Sequence, residues 1–249
     1  MTCELSPIKT KFKIPEPRVY GSGTTEEYVK NISLDYLLGI SDSVYNLYGY
    51  KTKIDNASYI AQIVYDLANK KPINLCVTDP KVMEERREFL SEEYVIKAME
   101  GKLTSFDNSF RNILSVENFN NSDRIGGKFH WLKTYIAAFP KVYKETKERA
   151  YFNDVIQQIS SKSEYYGDLK NRYNFKLKLI SRRYIEDKAT WVVNALHEEK
   201  DLITFFDSKK DITNVEVGNM FKVRGTVIKH DFSNYTKCKE TRLSRIIFS

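Results

Sequence analysis

The chain has 249 residues, of which 41% are hydrophobic and 29% charged, a composition that can bury a core and excludes a wholly disordered protein. Its positive charge is uneven: residues 1–159 carry 22 basic and 21 acidic residues, whereas residues 160–249 carry 18 and 12. Because phosphate contacts dominate binding to polyanions, this local surplus favours a nucleic-acid partner. No run of 18 apolar residues occurs and the N-terminus lacks the apolar centre of a signal peptide, so we expect no membrane partner.

Cysteine and histidine usage argues against metal and disulfide chemistry. Cys3, Cys76 and Cys238 lie far apart, no Cys-x-x-Cys pair occurs, and the three histidines are equally scattered. This pattern is typical of a reducing compartment. The sequence therefore predicts a cytoplasmic protein with no metal site and no cofactor.

The first two thirds of the chain predict an extended arm followed by helices. Residues 1–25 contain three prolines and two glycines and read as an arm, and residues 26–158 carry helical apolar spacing. We expect a helix to start at Thr24 or Thr25, a second helix over Ser33–Tyr48 and a third that begins at a cap at Asp55 or Asn56. Further helices are predicted from Asp79-Pro80 to Glu100, over Asn108–Ser115 and over Lys128–Ala138. We expect a loop over Asn118–Gly127, and a break or kink at Pro140 before Lys141–Tyr151. These elements predict a helical N-terminal domain.

The period changes to two after residue 160. Phe175–Leu179 alternates strictly between apolar residues and lysines, which places them on opposite faces of a strand. Further short strands are predicted over Ala189–Asn194, Leu202–Phe206, Met220–Ile228 and Arg242–Phe248. Short strands separated by turns are typical of a small barrel. The fold class is therefore predicted as α+β, a helical domain followed by an oligonucleotide-binding (OB)-like β-barrel over residues 160–249.

The outward faces of two predicted strands carry the candidate binding residues. Lys176 and Lys178 point outward from one strand and Lys222 and Arg224 from another, so adjoining faces would form a basic groove for phosphates. We expect Tyr173, Tyr184 and Tyr235 to stack on bases, and Trp191 and Phe206 to lie in the barrel core. A solvated face, or lysines that protect a sheet edge, is the alternative interpretation of the basic positions.

Three segments of this region resemble a C-terminal module of uncharacterised phage proteins. The segments are Ser163–Arg172, which holds an aromatic-Gly-acidic turn, Val223–Asp231, which holds Gly-Thr-Val-x-Lys-His, and Lys239–Arg245, which holds Thr-x-Leu-x-Arg. The resemblance implies an OB-like domain in a phage or mobile-element protein, acting in the host cytoplasm. Those proteins often begin with a cysteine-rich zinc module, which this chain lacks.

No catalytic constellation is visible in the sequence. His230-Asp231 invites an acid–base interpretation, but the pair falls beside a polar hairpin where turn geometry explains it, and a nuclease would need carboxylates from distant segments to converge. We therefore predict a non-enzymatic protein that binds single-stranded DNA or RNA during replication, recombination or transcription. The alternative is a protein–protein adaptor, such as an accessory subunit of a phage polymerase or replisome.

Overall fold

The computed structural model describes residues 33–50, 52–68, 75–114, 129–209 and 211–249, and its class is α+β. Helices come first and a mixed five-stranded sheet follows. The chain divides into two units, residues 1–143 and 144–249. The expected arm over residues 1–25, the helix start at Thr24 or Thr25 and the loop over residues 118–127 lie outside the described residues.

Five helices lie in the described part of the chain. They are α1 (Leu34–Tyr48), α2 (Lys53–Ala68), α3 (Pro80–Met99), α4 (Ser105–Leu114) and α5 (Phe129–Ile159). The cap at Asp79 is as predicted, because its carboxylate accepts a hydrogen bond from the Lys81 N–H at the start of α3. Pro80 follows at the first helical position, where its missing N–H costs nothing. Local sequence signals therefore start this helix.

The start of α2 differs from the prediction, which placed the cap at Asp55 or Asn56. The helix begins at Lys53, and the Thr52 hydroxyl oxygen accepts from the Asp55 N–H at 3.0 Å. The same hydroxyl donates to the Asp55 carboxylate at 2.9 Å. Asp55 is therefore the reciprocal partner of the cap rather than the cap itself, an arrangement that resembles a capping box.

The first unit has a continuous apolar core with two ion pairs beside it. Residues from all five helices contribute to it, among them Leu37, Ile60, Leu90, Phe110 and Phe139. The carboxylate of Asp42 accepts from Arg86 at 2.5 Å, and that of Asp35 from Arg87 at 2.9 Å, joining α1 to α3. Burial raises the pKa of Asp35, and this effect outweighs the lowering effect of the nearby Arg87.

Helix α5 does not end at Pro140, so of the two expected alternatives, a break or a kink, the break is wrong. The helix runs from Phe129 to Ile159 with the buried proline inside it. A proline inside a helix costs about 3 kcal/mol because it removes a backbone hydrogen bond and crowds the preceding turn. The carbonyl oxygen of Ile136, which the missing N–H of Pro140 leaves without its helical donor, accepts a hydrogen bond from the buried Ser41 hydroxyl at 2.7 Å. The neighbouring Phe139 lies in the core of the first unit.

The second unit consists of the last turns of α5 and five strands. The strands are β1 (Arg172–Ile185), β2 (Thr190–His197), β3 (Asp201–Asp207), β4 (Met220–Phe232) and β5 (Lys239–Phe248), so each predicted strand is present and longer than expected. Their order is β1-β2-β3-β5-β4, and β4 pairs with β1, which closes the sheet on itself. All pairs are antiparallel except β3 with β5.

The long strand β1 serves two neighbours and sets which residues face inward. Its first half pairs with β4 and its second half with β2, with an irregularity between Leu179 and Ser181. Phe175, Leu177 and Leu179 face the interior with Val193, Ala195, Ile203, Phe205, Phe221, Val223, Val227 and Leu243. A smaller cluster joins Phe152 and Ile159 of α5 to Ile180, Leu196, Leu202 and Cys238.

Candidate nucleic-acid interface

The outward positions of β1 and β4 form a basic surface, which we call the basic face: Arg172, Lys176, Lys178, Lys222 and Arg224. The two strands adjoin, and Lys176 lies directly opposite Lys222 while Arg224 lies opposite Asn174. Four of the five basic residues are exposed, and Lys178 is half-buried. The adjacency of the two lysine-bearing faces, which the groove hypothesis requires, is therefore present in the structure.

Few carboxylates lie near the basic face. Neither β1 nor the paired segment of β4, residues 220–226, contains an aspartate or glutamate. Among the described residues, the only carboxylate that reaches a basic-face side chain is Glu199, 3.9 Å from the Lys178 Nζ. Like charges directly opposite each other weaken a β-sheet, so the Lys176–Lys222 pair costs stability unless an anion offsets it.

One other group of charged residues on this sheet is balanced by carboxylates. On the far half of β4 and on β5, Lys229 contacts Asp231 at 2.6 Å, and Arg242 contacts both Asp231 at 3.2 Å and Glu240 at 2.6 Å. The hydrogen bond from Lys229 is the main cause that lowers the pKa of Asp231. Among the described residues, Lys229 and Arg242 are therefore compensated by carboxylates, unlike most cations of the basic face.

Tyr173 does not lie on the basic face. It shares the parity of Phe175, so its ring points inward and packs against Tyr166 and Phe175. Its hydroxyl donates to the Asp168 carboxylate at 3.1 Å, and the ring sits against Gly167, where an added Cβ would come within 2.8 Å of it. These contacts give Tyr173 a packing role at the entry to β1.

Tyr184 and Tyr235 are accessible but lie elsewhere on the second unit. Tyr184 is 37% exposed near the end of β1, opposite Trp191, with ring centroids 5.2 Å apart. Tyr235 is 84% exposed between β4 and β5, and its ring stacks on Phe152 at 6.4 Å. Trp191 is half-buried and packs against the core, as expected. Of the three tyrosines predicted to stack on bases, two are therefore accessible at the surface.

Phe206 is a second aromatic residue that lies on a different face from the one predicted. It was expected in the core, yet it is 52% exposed near the end of β3, whereas the adjacent Phe205 is 1% exposed. Successive side chains of a strand point to opposite faces, so only one of the two phenylalanines can face the interior. Since Ile203 and Phe205 share the inward parity, Phe206 points outward. The adjacent phenylalanines in the sequence already indicate that one of the two rings must face outward.

Polar and apolar groups surround Phe206 on the outward surface of β1, β2 and β3. Val192 lies directly opposite it on β2, and the exposed Arg183 lies opposite Val192 on β1. In the next row, the Asn194 amide donates to the Ser181 hydroxyl oxygen at 2.9 Å and accepts from the Thr204 hydroxyl at 3.1 Å. These fixed polar groups beside an open ring form a second candidate contact surface.

His230 and Asp231 have separate partners. The His230 ring stacks on Tyr165 at 4.9 Å and its Nε2 lies 3.4 Å from the Tyr166 carbonyl oxygen, while Asp231 binds Lys229 and Arg242. Across the described ranges, no three His, Cys, Asp or Glu side chains lie where they could hold a metal ion together, and no helix is long and apolar enough to cross a membrane. The contacts of this histidine and aspartate are structural.

Comparison of the chain with protein-family models, with curated proteins and with solved structures finds no match.

Proposed function

We propose that this chain is a non-catalytic nucleic-acid-binding protein that prefers single strands, and that its second unit is an OB-like barrel. The OB fold is a five-stranded Greek-key barrel. The strand order β1-β2-β3-β5-β4, with a long β1 shared between β2 and β4, supports this assignment. Since a fold hosts many functions, the binding argument depends on the surface residues.

The basic face is the observation that carries the proposal. It places Lys176 opposite Lys222 with Arg224 two residues further along β4, and no carboxylate lies at the outward positions between Arg172 and Lys178 or between Met220 and Thr226. Such an arrangement costs folding free energy and is explained by a polyanionic ligand that neutralises it. Phosphate contacts on this face would supply affinity without sequence preference.

The preference for single strands rests on the exposed aromatic side chains. Stacking on a protein ring requires an unpaired base and contributes about 1–3 kcal/mol per base. Phe206 offers an open ring on β3, and Tyr184 and Tyr235 are accessible at the end of β1 and after β4. A duplex keeps its bases stacked inside, so it would contact only the cations of the basic face through its phosphates.

The resemblance to phage proteins suggests the setting. We place the protein in replication, recombination or transcription of a phage or mobile element, in the cytoplasm of its host. The Gly225-Thr226-Val227 run and the closing Thr241-to-Arg245 segment, which carry the resemblance, lie on paired segments of β4 and β5.

The proposal is tested by fluorescence anisotropy of the full chain with labelled single strands and duplexes of equal length across a salt series. We expect single strands to bind more tightly, with affinity that falls steeply as salt rises. Inorganic polyphosphate at equal phosphate concentration serves as the competitor. Full competition would reduce the activity to general polyanion binding, and absence of binding to every nucleic acid at low salt would reject the proposal.

A second candidate function, protein–protein adaptor or accessory subunit, is favoured by one feature of the first unit. Val95, Ile96 and Met99 are exposed apolar residues grouped in the last turns of α3. Grouped exposed apolar residues often mark protein contacts. Affinity capture with the wild-type chain and with an Ile96→Glu/Met99→Glu variant tests this: a replication or transcription subunit retained only by the wild type would support the adaptor.

A further inference from the structure

The cations of the basic face are regularly spaced, and this spacing indicates how a nucleic-acid strand would lie on them. Its outward positions form four cross-strand rows: Arg172 with Thr226, Asn174 with Arg224, Lys176 with Lys222, and Lys178 with Met220. Each row contains at least one cation. Successive rows are two residues apart, which is about 7 Å along a strand. This step is close to the distance between successive phosphorus atoms in an extended nucleic-acid strand.

Only one of the four rows carries two cations. Lys176 and Lys222 are directly opposite, and the Cβ atoms of such a pair lie about 4.5–5.5 Å apart. Flexible lysine side chains that start this close can reach the same phosphate from two sides. In the other rows the partner is neutral: threonine, asparagine or methionine.

We infer that an extended strand runs along β1 and β4 with one phosphate on each of the four rows, and that Lys176 and Lys222 share a single phosphate. This inference rests on the proposed nucleic-acid binding. It adds the axis along which the nucleic-acid strand lies and the number of phosphates in contact. Four phosphates lie within the range of site sizes found for single OB domains, about 4–16 nucleotides. The contact reads only the backbone, so it is independent of base identity.

Salt dependence separates shared from separate phosphates. Each phosphate neutralised on a single strand contributes about −0.7 to the slope of log K against log salt concentration. If Lys176 and Lys222 share one phosphate, removing either charge leaves the other to hold it, and only removal of both eliminates the contact. Arg224 is the only cation of its row and has no such substitute.

The experiment measures this slope for the full-length chain with an oligothymidylate and with an abasic strand of equal length. The variants are Lys176→Gln, Lys222→Gln, their double variant and Arg224→Gln, with circular dichroism to check that each remains folded. We expect the two single lysine variants to keep the wild-type slope, and the double variant and Arg224→Gln each to lose about 0.7. The abasic strand should show the same differences, since only phosphates are involved.

Three outcomes overturn different statements. A slope loss of about 0.7 in each single lysine variant and about 1.4 in their double variant would show that each cation holds its own phosphate, which rejects the shared row while leaving nucleic-acid binding intact. No binding of the wild-type chain at low salt would reject the proposed function itself. An unchanged slope in Arg224→Gln would remove its row from the contact.

Discussion

Lys176 and Lys222 lie directly opposite each other on the antiparallel strands β1 and β4, and within the described part of the chain neither forms an ion pair. Their juxtaposition places two like charges at the closest positions that neighbouring strands offer. Lys229, on the same strand β4, is instead held at 2.6 Å from Asp231. Of the two lysines of β4, Lys222 therefore faces a repelling charge, whereas Lys229 is paired with a carboxylate.

Removing one charge of the opposed pair is expected to stabilise the protein. Lys222→Gln relieves the repulsion and should raise the free energy of unfolding by about 0.2–1 kcal/mol at low salt. The gain should shrink as salt rises, because salt screens exposed charges. Urea unfolding at two salt concentrations measures it. Lys229→Gln is the matched control and should give no gain, since it loses the contact with Asp231; equal gains in both variants would contradict the prediction.

Phe205 and Phe206 are expected to respond oppositely to truncation. Phe205→Ala empties a core position and should cost about 3–5 kcal/mol of stability. Phe206→Ala removes a half-exposed ring, so it should leave stability nearly unchanged while weakening single-strand binding by about 1–3 kcal/mol. Thermal unfolding and anisotropy check the two halves, with a duplex of equal length as the control for base stacking. Equal loss of duplex and single-strand binding would argue against stacking on Phe206.

A side chain at position 225 should lower the stability of the protein unless the neighbouring Ile246 side chain is shortened. A Cβ built there would lie 2.9 Å from the Ile246 Cδ1 and 3.2 Å from the Leu243 Cδ1. Gly225→Ala should therefore cost about 1–3 kcal/mol through overpacking. Ile246→Val removes the closest atom, so the double variant should be more stable than the sum of the two single effects predicts. Strict additivity in urea unfolding would show that the Cδ1 contact is not the cause.

Asp107 is expected to link the stability of the first unit to acid pH. Burial disfavours its charge, but hydrogen bonds from the Thr104 N–H and hydroxyl, together with Lys97, outweigh burial and lower its pKa below 3.8. A lowered pKa in the folded state means that the stabilisation is present above pH 3.8 and is lost as pH falls through the folded value. Asp107→Asn should flatten this acid loss in unfolding measurements.

Thr104→Ala provides the control for that cause. It removes the hydroxyl donor to Asp107 and leaves the backbone N–H donor at 2.9 Å. The pKa of Asp107, followed by NMR titration of its carboxyl group, should rise toward its ordinary value. No change in this variant would assign the lowered pKa to the backbone hydrogen bond and Lys97.

Several features could be predicted because they depend on short-range chemistry. Asp79-Pro80 starts α3 through a local cap, and the alternation over Phe175–Leu179 places the lysines on one face of β1. The same alternation, extended two residues back, also indicates that Tyr173 faces inward with Phe175. Tyr173, which was predicted to bind together with the outward lysines, therefore lies on the opposite side of β1 from them.

Other features depend on partners that are distant in sequence. The sequence contains the lysines at 176 and 222, but only the register of β1 with β4 brings them face to face. The exposure of Phe206 follows from which face of β3 covers the interior once the sheet closes. Where α5 passes through Pro140, the freed carbonyl of Ile136 accepts from Ser41 of α1, which is distant in sequence.

The sequence by itself determined the α+β class, the approximate positions of the strands, most of the helices and the concentration of positive charge after residue 160. These follow from periodicity, capping and composition, which act over a few residues. The tertiary structure alone decided which cations share a row, which aromatic rings remain open, and where the first unit ends and the second begins. Pairing register and burial are sums over contacts between distant segments, so no local pattern can specify them.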